Sequence, residues 1–262
     1  MAEDPVLIDR SHAGIVVLTL NRPERRNALN ATLLDALCAA IQAAGTDRTR
    51  RVLVLRGAGA AFCAGLDLQE TLDETAAERN AHRVLRTLRT VARSRLISIA
   101  CVQGAAMAGG AGLMAACDFA VAADDAKFGL PEVRRGLVAA IVMCFLMRNV
   151  AGRHVRSLVL QGNAIDAREA AAIGLINRAV PPARLVDEAM GLAGEILKGA
   201  PQAIERTKTL LDQLSPWDLS RDLDTALSHH MDAKGSLEAR EGLRAFLEKR
   251  APMWQTFLEE QR

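Results

Sequence analysis

From Ile97 to Cys117 the chain runs without a single charged residue. By length alone such a run could span a bilayer. Gln103, four glycines and repeated alanines make it only weakly apolar, and its period changes partway from strand-like to helix-like, so it reads as the interior of a folded domain. The pattern predicts a strand over 97–102 that feeds, through VQGAAMAGGAGLMAACD at 102–118, a helix whose first turn is bare. The first N–H groups of a helix have no internal acceptor and sit at the positive end of its dipole, so an anion or a developing oxyanion is favoured there. Gly109 and Gly110 would let a ligand touch the backbone, although close helix–strand packing uses a glycine pair equally well.

At 262 residues, 50% hydrophobic and 24% charged, the chain has enough core for one main domain plus an extension. A net charge of +2 gives no bias towards nucleic acid or membrane, and neither is expected as a partner. The five cysteines, 38, 63, 101, 117 and 144, lie in apolar neighbourhoods without C-x-x-C pairing and read as buried free thiols of a reducing compartment. MAEDPV at the start carries two acids and no apolar core, which predicts a cytoplasmic protein. The absence of tyrosine removes any mechanism that needs a phenol, and no P-loop, G-x-S-x-G elbow or placed G-x-G-x-x-G occurs. His229 and His230 diverge by about 100° on a helix and make a poor metal set with Asp232, His12 and His154 lack partners, and no metal is expected.

In chain order, strands at 6–9 and 14–20 suggest a hairpin, and Asn30 offers a cap to a helix over 31–44. RVLVLRG at 51–57 is the continuous apolar run of a strand buried on both faces. Residues 73–95 have helical spacing, and Arg83, Arg86 and Arg93 share a face that reads as a solvated stripe rather than a phosphate or nucleic-acid site. Residues 118–132 give a strand, an acidic turn and a second strand stopped by Pro131, and LINRAV at 175–180 gives another. VLVLRG, SIACVQG, DFAVAA and LINRAV each begin a strand, loop and helix unit, which argues for parallel pairing. Helices are predicted over 139–150, 153–161, 166–173, 184–198, 202–213, 217–233 and 237–249, and the amphipathic C-terminal ones suggest a partner subunit.

FCAGLDL at 62–68 puts small residues at the end of a buried strand, where the N–H of Ala64 and that of Gly109 could converge on one oxygen as an oxyanion hole. FCAGLDL, VQGAAMAGGAGLMAACDFAVAA and AKFGLPEVRRGL, in that order, resemble the enoyl-CoA hydratase/isomerase (crotonase) family, and NRPERRNAL and INRAVP fit it too. The resemblance implies an α/β superhelix of repeated ββα turns over 1–198, followed by a helical trimerisation region over 199–262. It also implies a homotrimer or a hexamer made of two trimers, an acyl-CoA thioester substrate, and no cofactor beyond the coenzyme A of that substrate. By motif match Ala64 and Gly109 hold the thioester oxygen, and Gly65, Leu66 and Asp67 line the pantetheine and acyl entry. Arg26, with Arg22 and Arg25, lies in the family segment matched to CoA phosphates, ordinary surface arginines being the alternative, and Lys249 and Arg250 near the C-terminus could reach a neighbouring subunit's CoA.

Polarising a thioester carbonyl acidifies its α-carbon and makes an enoyl β-carbon electrophilic, and a carboxylate beside the hole can then move a proton. Hydratases of the family use two glutamates. This chain keeps the second, Glu132 in FGLPEV, and has Gly112 at the first. LVAAIV at 137–142 replaces a glycine-rich turn of the family. Asp67 and Glu70 are read as caps or solvated acids of the helix that follows them. The expected activity is addition of water to a 2-enoyl-CoA. Isomerisation of a 3-enoyl-CoA by one glutamate and a low-activity acyl-CoA-binding homologue are the alternatives.

Overall fold

A computed structural model describes residues 4–71, 76–215 and 218–255. Its strands are β1 (Val6–Asp9), β2 (Ile15–Leu20), β3 (Val52–Gly57), β4 (Ile97–Val102), β5 (Ala105–Met107), β6 (Phe119–Ala123), β7 (Lys127–Gly129), β8 (Ala164–Asp166) and β9 (Arg178–Val180). The helices are α1 (Ala31–Thr46), α2 (Leu68–Thr71), α3 (Ala77–Ala92), α4 (Gly109–Ala115), α5 (Ala140–Asn149) and α6 (Gly152–Gln161). After these come α7 (Ala167–Ala172), α8 (Leu185–Leu197), α9 (Pro201–Leu214), α10 (Leu219–Lys234) and α11 (Leu237–Leu247).

The larger sheet runs β1-β2-β3-β4-β6-β9. Only β1 and β2 pair antiparallel, with Val6 opposite Leu20, as the hairpin reading requires. From β2 onward the pairs are parallel, in the order expected from the four repeated units. Parallel sheets need cover on both faces, which is why β4 is buried at every position and β3 at all but Arg56. Helix α8 packs on β3, β4 and β6, while α1 packs on β1, β2 and α3. Asn30 Oδ1 accepts from Leu33 N at 2.9 Å and caps α1.

A second sheet, β5-β7-β8, departs from the sequence reading. Strand β4 does not feed α4 directly; the three residues of β5 intervene and pair with β7, Ala106 opposite Phe128. The strand read at 175–180 shortens to β9, and the predicted helices hold with ends shifted by a few residues. Residues 73–75 and 217 of the predicted helices lie outside the described residues.

The C-terminal helices do not stand apart from the repeats. Helix α10 lies on α3 and α5, and α11 lies on the 3-10 turn Pro131–Arg135. That approach is as close as backbones allow: a Cβ on Gly136 would stand 2.2 Å from Glu238 O, and one on Gly242 2.3 Å from Arg135 O. Arg135 also stacks on Phe246, 4.0 Å from the ring centroid. Among the described residues no helix is long and apolar enough to cross a membrane.

Four cysteines are buried and Cys144 is half-buried, all as free thiols. Burial pushes the Cys63 and Cys117 thiols up to about 12, so both stay protonated. His12 is not without a partner, since Asp9 lies 3.7 Å away.

Candidate active site

The segment 62–67 is zipped between two neighbours. On one side Phe62 N donates to Gln103 O, Cys63 N to Ala105 O, and Met107 N to Cys63 O. On the other, Ala64 N donates to Arg26 O at 2.9 Å, Leu29 N to Gly65 O, and Asp67 N to Leu29 O. Buried Asn27 locks the flanking loops together, its Nδ2 donating to Ala58 O and Ala61 O and its Oδ1 accepting from Arg22 N.

This pairing corrects one expected donor. The N–H of Ala64 is consumed by the Arg26 carbonyl and is not free to bind a ligand oxygen. Successive backbone groups of an extended segment point to opposite sides. Asp67 N reaches towards Leu29, so Leu66 N faces away from it, and Leu66 N has no hydrogen-bond acceptor among the described residues. Gly109 N, the first residue of α4, likewise has none. The two residues adjoin, since a Cβ on Gly109 would stand 3.5 Å from Leu66 Cδ2.

The glycine pair divides its work. Gly109 lines the cavity, whereas a Cβ on Gly110 would stand 2.3 Å from Cys63 O, so Gly110 serves close packing. Gly65, at φ 98°, lies beneath Ala108, where a Cβ would meet its side chain at 2.9 Å.

Leu66 and Gly109 open on a cavity of about 570 Å³ that Glu132 also lines. Glu132 stands in the 3-10 turn after Pro131, whose ring fixes the start of the turn. Its Oε2 is buried and has no hydrogen-bond partner among the described residues. Burial pushes its carboxyl up to about 7, while Arg135 nearby pulls the other way. An uncompensated carboxyl of that kind is poised to gain or lose a proton near neutrality.

Gly112 is not an empty place. A Cβ there would stand 2.8 Å from Val142 Cγ2 and 3.4 Å from Leu88 Cδ1. The two departures noted in the sequence, Gly112 and LVAAIV at 137–142, are thus one contact between α4 and α5, and Val142 lines the cavity where a residue-112 side chain would have entered it.

Asp67 lines the cavity but is tied down. Arg22 donates two hydrogen bonds of 3.0 Å to its Oδ2, and Gln69 N donates to its Oδ1. Arg22 also donates to Ala28 O, so of the three arginines matched to CoA phosphates it is structural, and only exposed Arg25 and Arg26 reach the cavity. Glu70 accepts from Ala31 N and helps to cap α1 rather than its own helix. Arg83 and Arg86 both pair with Asp35, and Arg95 donates to carbonyls of Gly45, Asp47 and Arg50, which supports the solvated reading of that stripe. Arg250 forks onto Glu241 and Glu248 of its own chain.

Sequence reasoning did not find Asn27 or Arg22 as the braces of the site. Both lie in a loop, and what they brace comes from residues more than thirty positions away. It also did not find His230, Phe246 and Leu247, which reach the cavity from the C-terminal helices.

A family model described as enoyl-CoA hydratase/isomerase matches residues 10–257. The chain is 34% identical over 248 residues to a 2,3-dehydroadipyl-CoA hydratase of Escherichia coli, covering 94% of this chain and 97% of that one. It is 32% identical over 258 residues to a crotonyl-CoA hydratase of Syntrophomonas wolfei, covering 95% and 97%. A crystal structure of an enoyl-CoA hydratase from Mycobacterium avium superimposes with a TM-score of 0.87 at 34% identity, covering 97% of this chain and 100% of that one.

Proposed function

Because the chain belongs to the enoyl-CoA hydratase/isomerase family, we propose that it adds water to a 2-enoyl-CoA, with Leu66 N, Gly109 N and Glu132 as its working groups. The observation that carries the chemistry is the buried Glu132 Oε2, without a hydrogen-bond partner among the described residues, on the same cavity as two open backbone N–H groups. Glu132 takes a proton from water, the oxygen adds to C3, and the displaced electron pair moves onto the thioester oxygen. Each preorganised donor to that oxygen is worth on the order of 3 kcal/mol in rate. Glu132 then returns its proton to C2. Every group the reaction uses belongs to the substrate, to water or to this chain, so the reading includes no cofactor and no metal.

The Gly112–Val142 contact favours a second reading, isomerisation of a 3-enoyl-CoA. Asp67 and Glu132 are the carboxylates among the cavity's lining residues, and Asp67 is bound to Arg22. One carboxylate suffices to carry a proton from C2 to C4. Matched 2-enoyl-CoA and 3-enoyl-CoA substrates separate the readings: hydration consumes the conjugated thioester absorbance, isomerisation creates it, and a binder leaves it unchanged.

The wider reading is a cytoplasmic enzyme with a catalytic core over 1–198, a C-terminal helical region over 199–262, and assembly into a homotrimer or a dimer of trimers. Exposed Leu210, Leu211 and Leu214 along α9 support an assembly that covers them. Light scattering giving a monomer mass at working concentration would sink that part.

A further inference from the structure

The main cavity adjoins a second chamber of about 50 Å³, and the two share Leu66, Asp67, Val84, Leu137, Ile141 and His230. On the proposed function, this chamber, which Leu66 also lines, is taken as the place of the acyl end of a thioester held at Leu66 and Gly109. The chamber has room for on the order of three or four water-sized groups. Leu29, Leu34, Ala81, Val84 and Ile141 give it buried apolar walls, which a plain hydrocarbon chain would satisfy. Its polar rim needs another account.

Most of that rim is occupied. Asp67 is bound by Arg22, Glu70 accepts from Ala31 N, Asn80 Oδ1 accepts from Arg83, and Lys234 is engaged in an interaction of its own. His230, half-buried on α10, lines both chambers and makes no hydrogen bond to another side chain among the described residues. Burial and then Lys234 hold its imidazole below the usual histidine range, and the Val138 backbone acts the other way. A ring that burial keeps neutral carries a lone pair on one of its two nitrogens. That lone pair accepts a hydrogen bond, is left dry by a methyl group and is repelled by a carboxylate.

We propose that His230 determines specificity by accepting a hydrogen bond from a hydroxyl at the distal end of the acyl group, so that short hydroxylated enoyl-CoA thioesters are preferred over hydrocarbon chains of equal length. Beyond the reacting C2 and C3, a 6-hydroxyhexenoyl group presents three carbons and an oxygen, which matches the chamber. The test is kcat/KM for 6-hydroxyhex-2-enoyl-CoA and for hex-2-enoyl-CoA, measured with the wild type, His230→Leu and His230→Asn.

The wild type is expected to prefer the hydroxylated substrate about tenfold, the gain of one well-placed hydrogen bond in a dry site. In His230→Leu the ratio falls to about one or below, and His230→Asn retains part of it. A purely structural histidine would change both substrates alike and leave the ratio untouched. Preference for hydrocarbon in the wild type, an unchanged ratio in His230→Leu, or a 2-enoyl substrate ending in carboxylate outperforming the hydroxylated one would each overturn the proposal. Should neither enoyl-CoA turn over, the hydratase reading fails by itself. Calorimetric binding of 6-hydroxyhexanoyl-CoA against hexanoyl-CoA then decides the role of His230, equal affinities counting against it.

Discussion

The two edges of the cavity are built by opposite means. The donor edge, residues 62–67 and 103–112, is backbone held on both sides by hydrogen bonds and packed at van der Waals limits through Gly65 and Gly110. The acid edge, the turn Pro131–Arg135, carries a side chain whose Oε2 has no hydrogen-bond partner among the described residues and whose proton affinity is raised by burial. One edge fixes where an oxygen sits and the other fixes when a proton moves. Position is achieved by satisfying the polar groups around two open N–H groups, and timing by leaving a carboxylate oxygen unsatisfied.

This contrast can be broken from either side. The largest effect is expected from Glu132→Gln, which keeps the shape of the acid edge and removes its proton chemistry. Turnover should fall by roughly 10³-fold, with acyl-CoA binding retained. Steady-state kinetics and calorimetry check both halves, and near wild-type turnover would place the acid elsewhere. Gly110→Ala attacks the donor edge instead, forcing a methyl towards Cys63 O. Thermal or urea unfolding should show a loss of on the order of 3 kcal/mol or failure to fold, with Glu132 untouched.

A smaller effect sharpens the comparison through pH. The folded state holds the Glu132 proton up to about 7, above the 4.5 of a free carboxyl, so stability falls as pH rises between those values. Glu132→Gln should therefore raise stability by roughly 1–3 kcal/mol at pH 8 and by nothing at pH 4, where the carboxyl is protonated folded or unfolded. In the wild type, kcat/KM should climb with pH through a midpoint near 7, as the base form appears. The smallest effect belongs to the helix face outside both edges. Arg83→Ala loses a part-exposed pair with Asp35 and should shift stability by less than about 1 kcal/mol, with kinetics unchanged.

Much of this was legible in the sequence. The parallel order of β2, β3, β4, β6 and β9 follows from the repeated apolar strand and helix pattern, and the family resemblance points to Glu132 and Gly109, which the fold sets on one cavity. What escaped did so for physical reasons. Three residues of β5 or β8 are too few to declare a period of two. Ala64 and Leu66 stand two positions apart in a motif that fixes the loop but not which N–H its neighbours consume, and only the Arg26 carbonyl decides that. Gly112 reads in the sequence as a missing group, whereas in the fold Val142, thirty positions later, packs against it. Contacts between helices distant in sequence leave no local trace.

The clamp of α11 on the turn Pro131–Arg135 bears on how the protein is made. Synthesis reaches Leu66, Gly109 and Glu132 long before it reaches Phe246 and Leu247, which close the cavity from the other side. A nascent chain therefore carries the reactive groups while their roof is still inside the ribosome. Docking of α11 on Gly136 then sets that helix against the turn that carries Glu132, so the two edges of the cavity are completed by a contact made late in synthesis.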